Sequence, residues 1–390
     1  MAPTREELLG RAKALIPTLK ERAAQTEELR QLPAETLRDL ADAGLLRVAN
    51  PRRFGGYEDD VDLLCEITME LGRGCGSTAW CYSVWLVHNW MVGHWPERFQ
   101  EEYFATGPDT LSSSGFAPTG KLEPAAGGFR LSGRWDFSSG CDAGTWALLG
   151  ANGPDGPVFA MLPRTDYEII DTWFVAGLKG TGSKDVQVTN AFVPAHRVVN
   201  CRDLAMPPRD GTQGGWQLTP LTPAWKLHGR PSFRLPIMNI ASYAVSMPVV
   251  GMARGAVEAF EEGLRGRTSA GSASVQMRLA EASAEADSAR VISLHNLAEL
   301  LARGARGDIL SEEDQVRYQR NRIYAARLGV QAINRLFEIG GAHSVYASMA
   351  LQRFFRDANV ASQHTSLHWD RVREQYGRLA LQSQRPTISR

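Results

Sequence analysis

The chain reads as an α+β fold in three consecutive blocks: an N-terminal helical domain, a middle β-barrel-like domain and a C-terminal four-helix bundle. Three observations predict this order. Apolar residues recur with helical period over the first hundred positions. From about residue 109, short β-branched and aromatic runs alternate with Gly, Pro and Asp. After Met247 the helical period returns in long segments. The expected boundaries are 1–108, 109–212 and 213–390. At 390 residues and 43% hydrophobic, the chain is long enough to bury more than one core.

The first helix opens with Thr4 and Glu7 in capping-box spacing, followed by Leu8, Leu9, Ala12, Leu15, Ile16 and Leu19 on helical period. Pro33 and Gly44 bracket a second helix as first-turn proline and terminating glycine. A third runs from about Val61 to Leu71. A fourth, from about Ser77 to Val92, is apolar nearly all round and carries Trp80, Trp85 and Trp90, so it should be buried.

In the middle block, the runs 128–133, 146–149, 157–161 and 186–188 are short strands separated by turn chemistry. Residues 202–236 are irregular and proline-rich and include Trp216 and Trp225; ordered loops of that length are usually functional. Helices are then expected at about 249–266, 272–303, 311–338 and 366–380, the third started by Ser311 and Asp314.

Composition excludes several classes. Lys plus Arg and Asp plus Glu are equal at 43, so no basic surplus favours nucleic acid or an anionic membrane. The N-terminus lacks a signal core, and no stretch reads as a membrane span. Five cysteines, odd in number and without metal spacing, suit buried thiols in a reducing cytoplasm. No G-x-G-x-x-G follows a strand, so a nicotinamide dinucleotide site has no support. The run Gly177 to Lys184 looks like a P-loop but transposes its Lys and Ser and lacks strand-to-helix context. It reads as a turn in the β block.

Three strings carry a family resemblance. Ser132 to Gly140 (SGRWDFSSG) resembles the G-x-K-x-W-I-[TS]-[NS]-G strand of the acyl-CoA dehydrogenase superfamily. Leu178 to Pro194 (LKGTGSKDVQVTNAFVP) resembles its G-x-R-x-S-x-T segment. Phe337 to Gly341, followed by Arg356-Asp357-Ala358, resembles its bundle string. The resemblance covers essentially the whole chain and implies the acyl-CoA dehydrogenase fold.

One departure redirects the expected chemistry. In the dehydrogenases a Glu shortly after R-D-A removes the substrate proton. Here the run Asn359 to His368 holds no carboxylate and carries His364 and His368. A dehydrogenase without its base cannot start the reaction. The pattern instead resembles the flavin-dependent hydroxylases of the superfamily, oxygenase components that take reduced flavin from a separate NAD(P)H:flavin reductase.

That resemblance implies reduced flavin (FADH2 or FMNH2) as cofactor and dioxygen as co-substrate. The expected reaction proceeds through a flavin hydroperoxide to hydroxylate a phenol-like or other electron-rich aromatic ring such as a polyketide or indole. Ser139 matches a serine contacting the reactive flavin nitrogen, with Phe137 beside it. His88 matches a histidine next to the substrate phenol, Ser114 a substrate-contacting serine, and Trp80 an aromatic lining the flavin and substrate sites. His364 matches a histidine near the flavin-bound oxygen. Arg265, Arg267, Gln276, Gly340 and Gly341 fall where the superfamily completes a neighbour's flavin site, which implies a homotetramer.

Taken alone, His88 reads as a core histidine and Ser139 as a strand hydroxyl; the family register makes them site candidates. Rival readings on this fold are an N-hydroxylase or nitrososynthase acting on an amino sugar, a sulfur oxygenase, and a non-catalytic flavin-binding relative. Tryptophan-rich walls favour a flat aromatic substrate over a sugar. The presence of Ser139 and His364 favours an active enzyme.

Overall fold

The computed structural model describes residues 2–204, 223–308 and 310–382. The boundary expected at 212 and Trp216 lie outside these residues, as does the side chain of Trp225.

The helical block holds α1 (Arg5–Leu29), α2 (Ala34–Asp42), α3 (Val61–Gly72), α4 (Gly76–Val92) and α5 (Glu97–Tyr103). The Thr4/Glu7 capping box is formed, and α1 runs through Pro17 because Leu8, Ala12, Ile16, Leu19 and Ala23 keep one buried stripe on both sides of it. Every residue of α4 is buried, as its all-round apolar character predicts.

The middle block is one sheet of β1 (Ser112–Ala125), β2 (Gly128–Ser138), β3 (Trp146–Gly153), β4 (Gly156–Pro163), β5 (Glu168–Ile170), β6 (Lys184–Pro194) and β7 (Val198–Asn200). The strand order is β5-β6-β2-β1-β3-β4-β7. Among the described residues only β1 and β3 pair in parallel. Three strands separate β4 from β6, yet the two come into contact, so the sheet curls on itself. Its inner face buries Leu131, Trp135, Leu149, Leu162, Val186 and Val193 together. The outer face at Trp146, Leu148, Phe159 and Met161 joins the core of the helical block. By the period of two, alternate residues of β1 therefore face the helices.

The chain then forms α6 (Pro223–His228), α7 (Ile237–Ala241), α8 (Tyr243–Leu264), α9 (Ala273–Arg306), α10 (Glu312–Ile339), α11 (Ala350–Ala361) and α12 (Trp369–Gln382). Ser311 and Asp314 form the expected capping box on α10. Strand β1 lies outside the four runs that read as strands and α6 inside the stretch that reads as irregular, and two further features depart from expectation. Helix α11 was not anticipated as an element, although Leu351, Phe354, Ala358 and Ala361 give it a buried stripe. The segment Ile237–Leu264 is long and apolar enough to pass as a membrane span, contrary to the sequence reading. Its most apolar stretch is almost wholly buried inside the protein, so α7 and the first turns of α8 are core helices.

All five cysteines are buried. The P-loop-like run is a turn between β5 and β6, with Leu178 and Gly182 both left-handed.

Candidate active site

Trp80, Val84 and His88 are spaced by four along α4 and so share one stripe, with about 12 Å of helix rise from first to last. This stripe meets the sheet at one end and the bundle at the other.

At the sheet end, His88 Nδ1 lies 2.7 Å from the Ser112 carbonyl oxygen. A carbonyl only accepts, so Nδ1 carries the proton and Nε2 keeps its lone pair. Burial lowers the His88 pKa to about 4, against the opposing effect of the Ser112 bond. His88 is therefore a neutral base at physiological pH. The Phe116 ring stands edge-on to it at 5.7 Å. Ser114 lies between Ser112 and Phe116 on the same face of β1. Gly115 faces the other way, against Trp135. Strand parity thus places Ser114, not Ser113, on the His88 side.

At the bundle end, the Trp80 indole N–H donates to Ser139 Oγ at 3.0 Å. Ser139 Oγ is 2.7 Å from Ser183 Oγ, and Ser183 Oγ is 2.7 Å from Thr181 Oγ1. The His364 ring meets the Trp80 ring edge-on at 5.9 Å. His364 Nδ1 accepts the Ser366 N–H at 3.1 Å, so its proton sits on Nε2. Burial, assisted by the nearby Arg322 charge, lowers the His364 pKa to about 4. The two histidines are thus neutral with opposite tautomers: His88 presents a lone pair at Nε2 and His364 an N–H.

Two groups behind these residues were not singled out as site residues from sequence. Arg322 is buried and donates to the Ser242 and Ser366 carbonyls at 3.0 Å each, tying the His364 turn to the start of α8. It has no carboxylate ion-pair partner among the described residues, and burial lowers its pKa to about 10. An arginine on the otherwise apolar α10 stripe of Tyr318, Ala325, Ala326 and Gly329 was the available signal. Asp357, in α11, accepts the Leu178 N–H at 2.6 Å, and burial pushes its carboxyl up to about 7. Arg356 beside it donates to the Ala176 carbonyl at 2.8 Å and pairs with Glu27. Together they dock the turn that carries Thr181 and Ser183.

Phe137 sits in a bulge of β2 with φ of 63°, 70% exposed, edge-on to Trp173 at 6.1 Å. The remaining candidates lie apart from this constellation. Helix α8 begins beside α4, where Ser83 Oγ donates to the Ala244 carbonyl at 2.5 Å. Arg265 follows its opposite end, about 30 Å away at 1.5 Å per residue. Arg265, Arg267 and Gln276 are exposed there, and the Gln276 amide donates to Ala270. Gly340 and Gly341 end α10, where a side chain on Gly340 would strike Ser344. None of these five contacts Trp80 or Ser139. His368 lines a separate cleft of about 250 Å³ with Val249, Ile323 and Trp369.

Comparison with known proteins places this geometry. Residues 7–104 match the acyl-CoA dehydrogenase N-terminal domain and residues 243–369 the acyl-CoA dehydrogenase C-terminal domain. The flavin-dependent monooxygenase oxygenase subunit HsaA of Rhodococcus jostii (strain RHA1) is 35% identical over 95% of this chain and 97% of its own length. The FADH(2)-dependent resorcinol hydroxylase oxygenase component of Rhizobium sp. (strain MTP-10005) is 32% identical, covering 96% and 94%. The crystal structure of 3-HSA hydroxylase from Rhodococcus sp. RHA1 superposes with a TM-score of 0.89 at 33% identity, over 98% of each chain.

Proposed function

This chain belongs to the acyl-CoA dehydrogenase family, among the oxygenase subunits of flavin-dependent monooxygenases, and from that premise we propose that it hydroxylates a phenolic ring at the Trp80–His88–Ser139–His364 site. Its relatives include a resorcinol hydroxylase and a p-hydroxyphenylacetate 3-hydroxylase, both oxygenase components. Reduced flavin, as FADH2 or FMNH2, supplies when bound the electrons that activate dioxygen for transfer of one oxygen atom.

The residues present fit that cofactor. Among the described residues the buried Ser138 hydroxyl has no hydrogen-bond partner, and the exposed Phe137 ring lies near the end of β2, two residues before Ser139. Ser139, already bonded to Trp80 and Ser183, keeps one lone pair for a ring nitrogen. Phe137 and Trp80 would flank the ring system, with His364 at its reactive side.

The observation that carries the reading is the pair of opposite tautomers. His88, with a free Nε2 lone pair, accepts the hydrogen bond of a phenol hydroxyl and draws off its proton as the ring gives electrons to the incoming oxygen; Ser114 orients that hydroxyl. His364 presents its Nε2 hydrogen to an oxygen on the flavin side of Trp80. Burial of His88 excludes the water that would divert the reaction at the substrate side, while His364 is half-buried.

The chain works with a separate NAD(P)H:flavin reductase, since it carries no dinucleotide fingerprint. It acts as a homotetramer in which Arg265, Arg267, Gln276, Gly340 and Gly341 complete a neighbour's flavin site. Its five buried cysteines, odd in number and without metal spacing, suit the cytoplasm. The test supplies the purified chain with chemically reduced FAD or FMN, air, and phenols beside their methyl ethers. Phenols should gain one oxygen and the ethers should not. Equal turnover of the ethers, or turnover with NADH and oxidised flavin alone, would remove the basis for this reading. A stable, active monomer in light scattering would contradict the assembly.

A further inference from the structure

The hydroxyl groups behind Trp80 form a chain whose hydrogens can be placed in one way only. Thr181 Oγ1 is 2.8 Å from the Leu178 carbonyl oxygen. A carbonyl oxygen has no hydrogen to give, so Thr181 donates there; otherwise two oxygens would face each other lone pair to lone pair. Thr181 is thereby committed and must accept across its 2.7 Å gap to Ser183, whose hydrogen points to Thr181. Ser183 in turn must accept across its 2.7 Å gap to Ser139, so the Ser139 hydrogen points to Ser183. The Trp80 N–H can only donate, and it fills one lone pair of Ser139. What Ser139 can still offer outward is a lone pair.

We propose that Thr181 and Ser183 are positioning residues that hold Ser139 as a hydrogen-bond acceptor, so that the site selects reduced over oxidised flavin. The ring nitrogen of reduced flavin that faces such a serine bears a hydrogen, whereas the same nitrogen of oxidised flavin bears a lone pair. An acceptor-only Ser139 matches the first and repels the second. The turn carrying both residues is held from behind by Asp357 on the Leu178 N–H and by Arg356 on the Ala176 carbonyl, which keeps the polarity from relaxing. This rests on the reading that Ser139 meets the flavin ring.

Anaerobic titration of the purified chain with FAD and FMN, each oxidised and dithionite-reduced, reads the selection directly. Ser183→Ala leaves the Ser139 hydrogen without an acceptor, and it turns outward. Thr181→Val makes Ser183 donate to Ser139, with the same result. Each variant should bind oxidised flavin on the order of 3- to 10-fold more tightly and reduced flavin more weakly by a similar factor. The midpoint potential of the bound flavin should become more negative. Thr181→Ser restores the chain and should restore the wild-type ratio. A packing defect weakens both redox forms together, and that outcome for Ser183→Ala and Thr181→Val would overturn the proposal. Ser139→Ala separates the two levels of the argument. Unchanged affinities in it mean that Ser139 does not meet the flavin; altered affinities in it, without opposed shifts in the other two, reject the polarity alone.

Discussion

Replacing His88 by Gln tests the substrate chemistry most directly. Gln retains an N–H that can reach the Ser112 carbonyl, so the buried acceptor stays satisfied, but it has no basic nitrogen. With the His88 pKa at about 4, the wild-type base is neutral throughout the range above about pH 5, so its rate should be flat from pH 6 to 9. A positioned general base contributes ~10²–10⁴-fold, and the variant should lose hydroxylation by that factor at pH 7. A simple phenol has a pKa near that of tyrosine, about 10, so roughly one molecule in a thousand is ionised at pH 7. That fraction rises about tenfold per pH unit, and the variant's rate should follow it to about pH 9. Oxygen consumption should continue, with hydrogen peroxide replacing the missing product. The assay quantifies product, peroxide and oxygen at pH 7, 8 and 9 with chemically reduced flavin, alongside the melting temperature. A loss independent of pH, or one that tracks lowered stability, would assign His88 to packing and refute the base.

Three further outcomes follow from the same geometry. His364→Gln should lower product and raise peroxide equally at pH 7 and 9, because its N–H does not act on substrate ionisation; rescue at high pH would reject the assignment. His88 and His364, both lowered to about 4, and His94, lowered to about 3, are neutral in the fold but gain a proton in the unfolded chain below about 6.5. Their contribution is therefore complete above pH 6.5 and lost as pH falls toward 4, by about 2 kcal/mol per histidine at pH 5; urea midpoints of the wild type and the His88→Gln/His364→Gln double variant at pH 7 and 5 would show it, and an unchanged pH slope in the double variant would refute it. Asp357 has the opposite sign: its carboxyl, raised to about 7, favours the fold as pH falls below that value. Asp357→Asn keeps an acceptor for the Leu178 N–H and should remove this dependence between pH 8 and 6, whereas Asp357→Leu should destabilise by about 1–3 kcal/mol; equal melting temperatures for the two variants would argue against the bond.

Much of the architecture was legible from residue order, because the signals involved are local. Capping boxes at Thr4/Glu7 and Ser311/Asp314, the all-round apolar α4, and the switch from helical to strand period are each written within a few residues. The missing carboxylate after Arg356-Asp357-Ala358 was equally visible, and it separated this chain from the dehydrogenases before any geometry was known. The apolar span at Ile237–Leu264 shows the limit of such signals: hydropathy registers burial without saying whether lipid or protein does the burying, and here it is protein. Helix α11 is less legible because it is short and its buried Leu351, Phe354, Ala358 and Ala361 overlap the Arg356-Asp357-Ala358 string.

The protonation pattern of the site belongs to tertiary structure alone. Sequence could place a histidine at 88 and another at 364, but a tautomer is set by the group that meets each ring. That group is a carbonyl 24 residues away for His88 and a local N–H for His364. The hydroxyl chain depends on Trp80 meeting Ser139 across 59 positions, and the turn behind it on Asp357 meeting Leu178 across 179. Residue types and periods determine which side chains are buried. Which donor faces which acceptor once water is gone depends on how the curled sheet docks against α4 and α11, and no spacing along the chain encodes that.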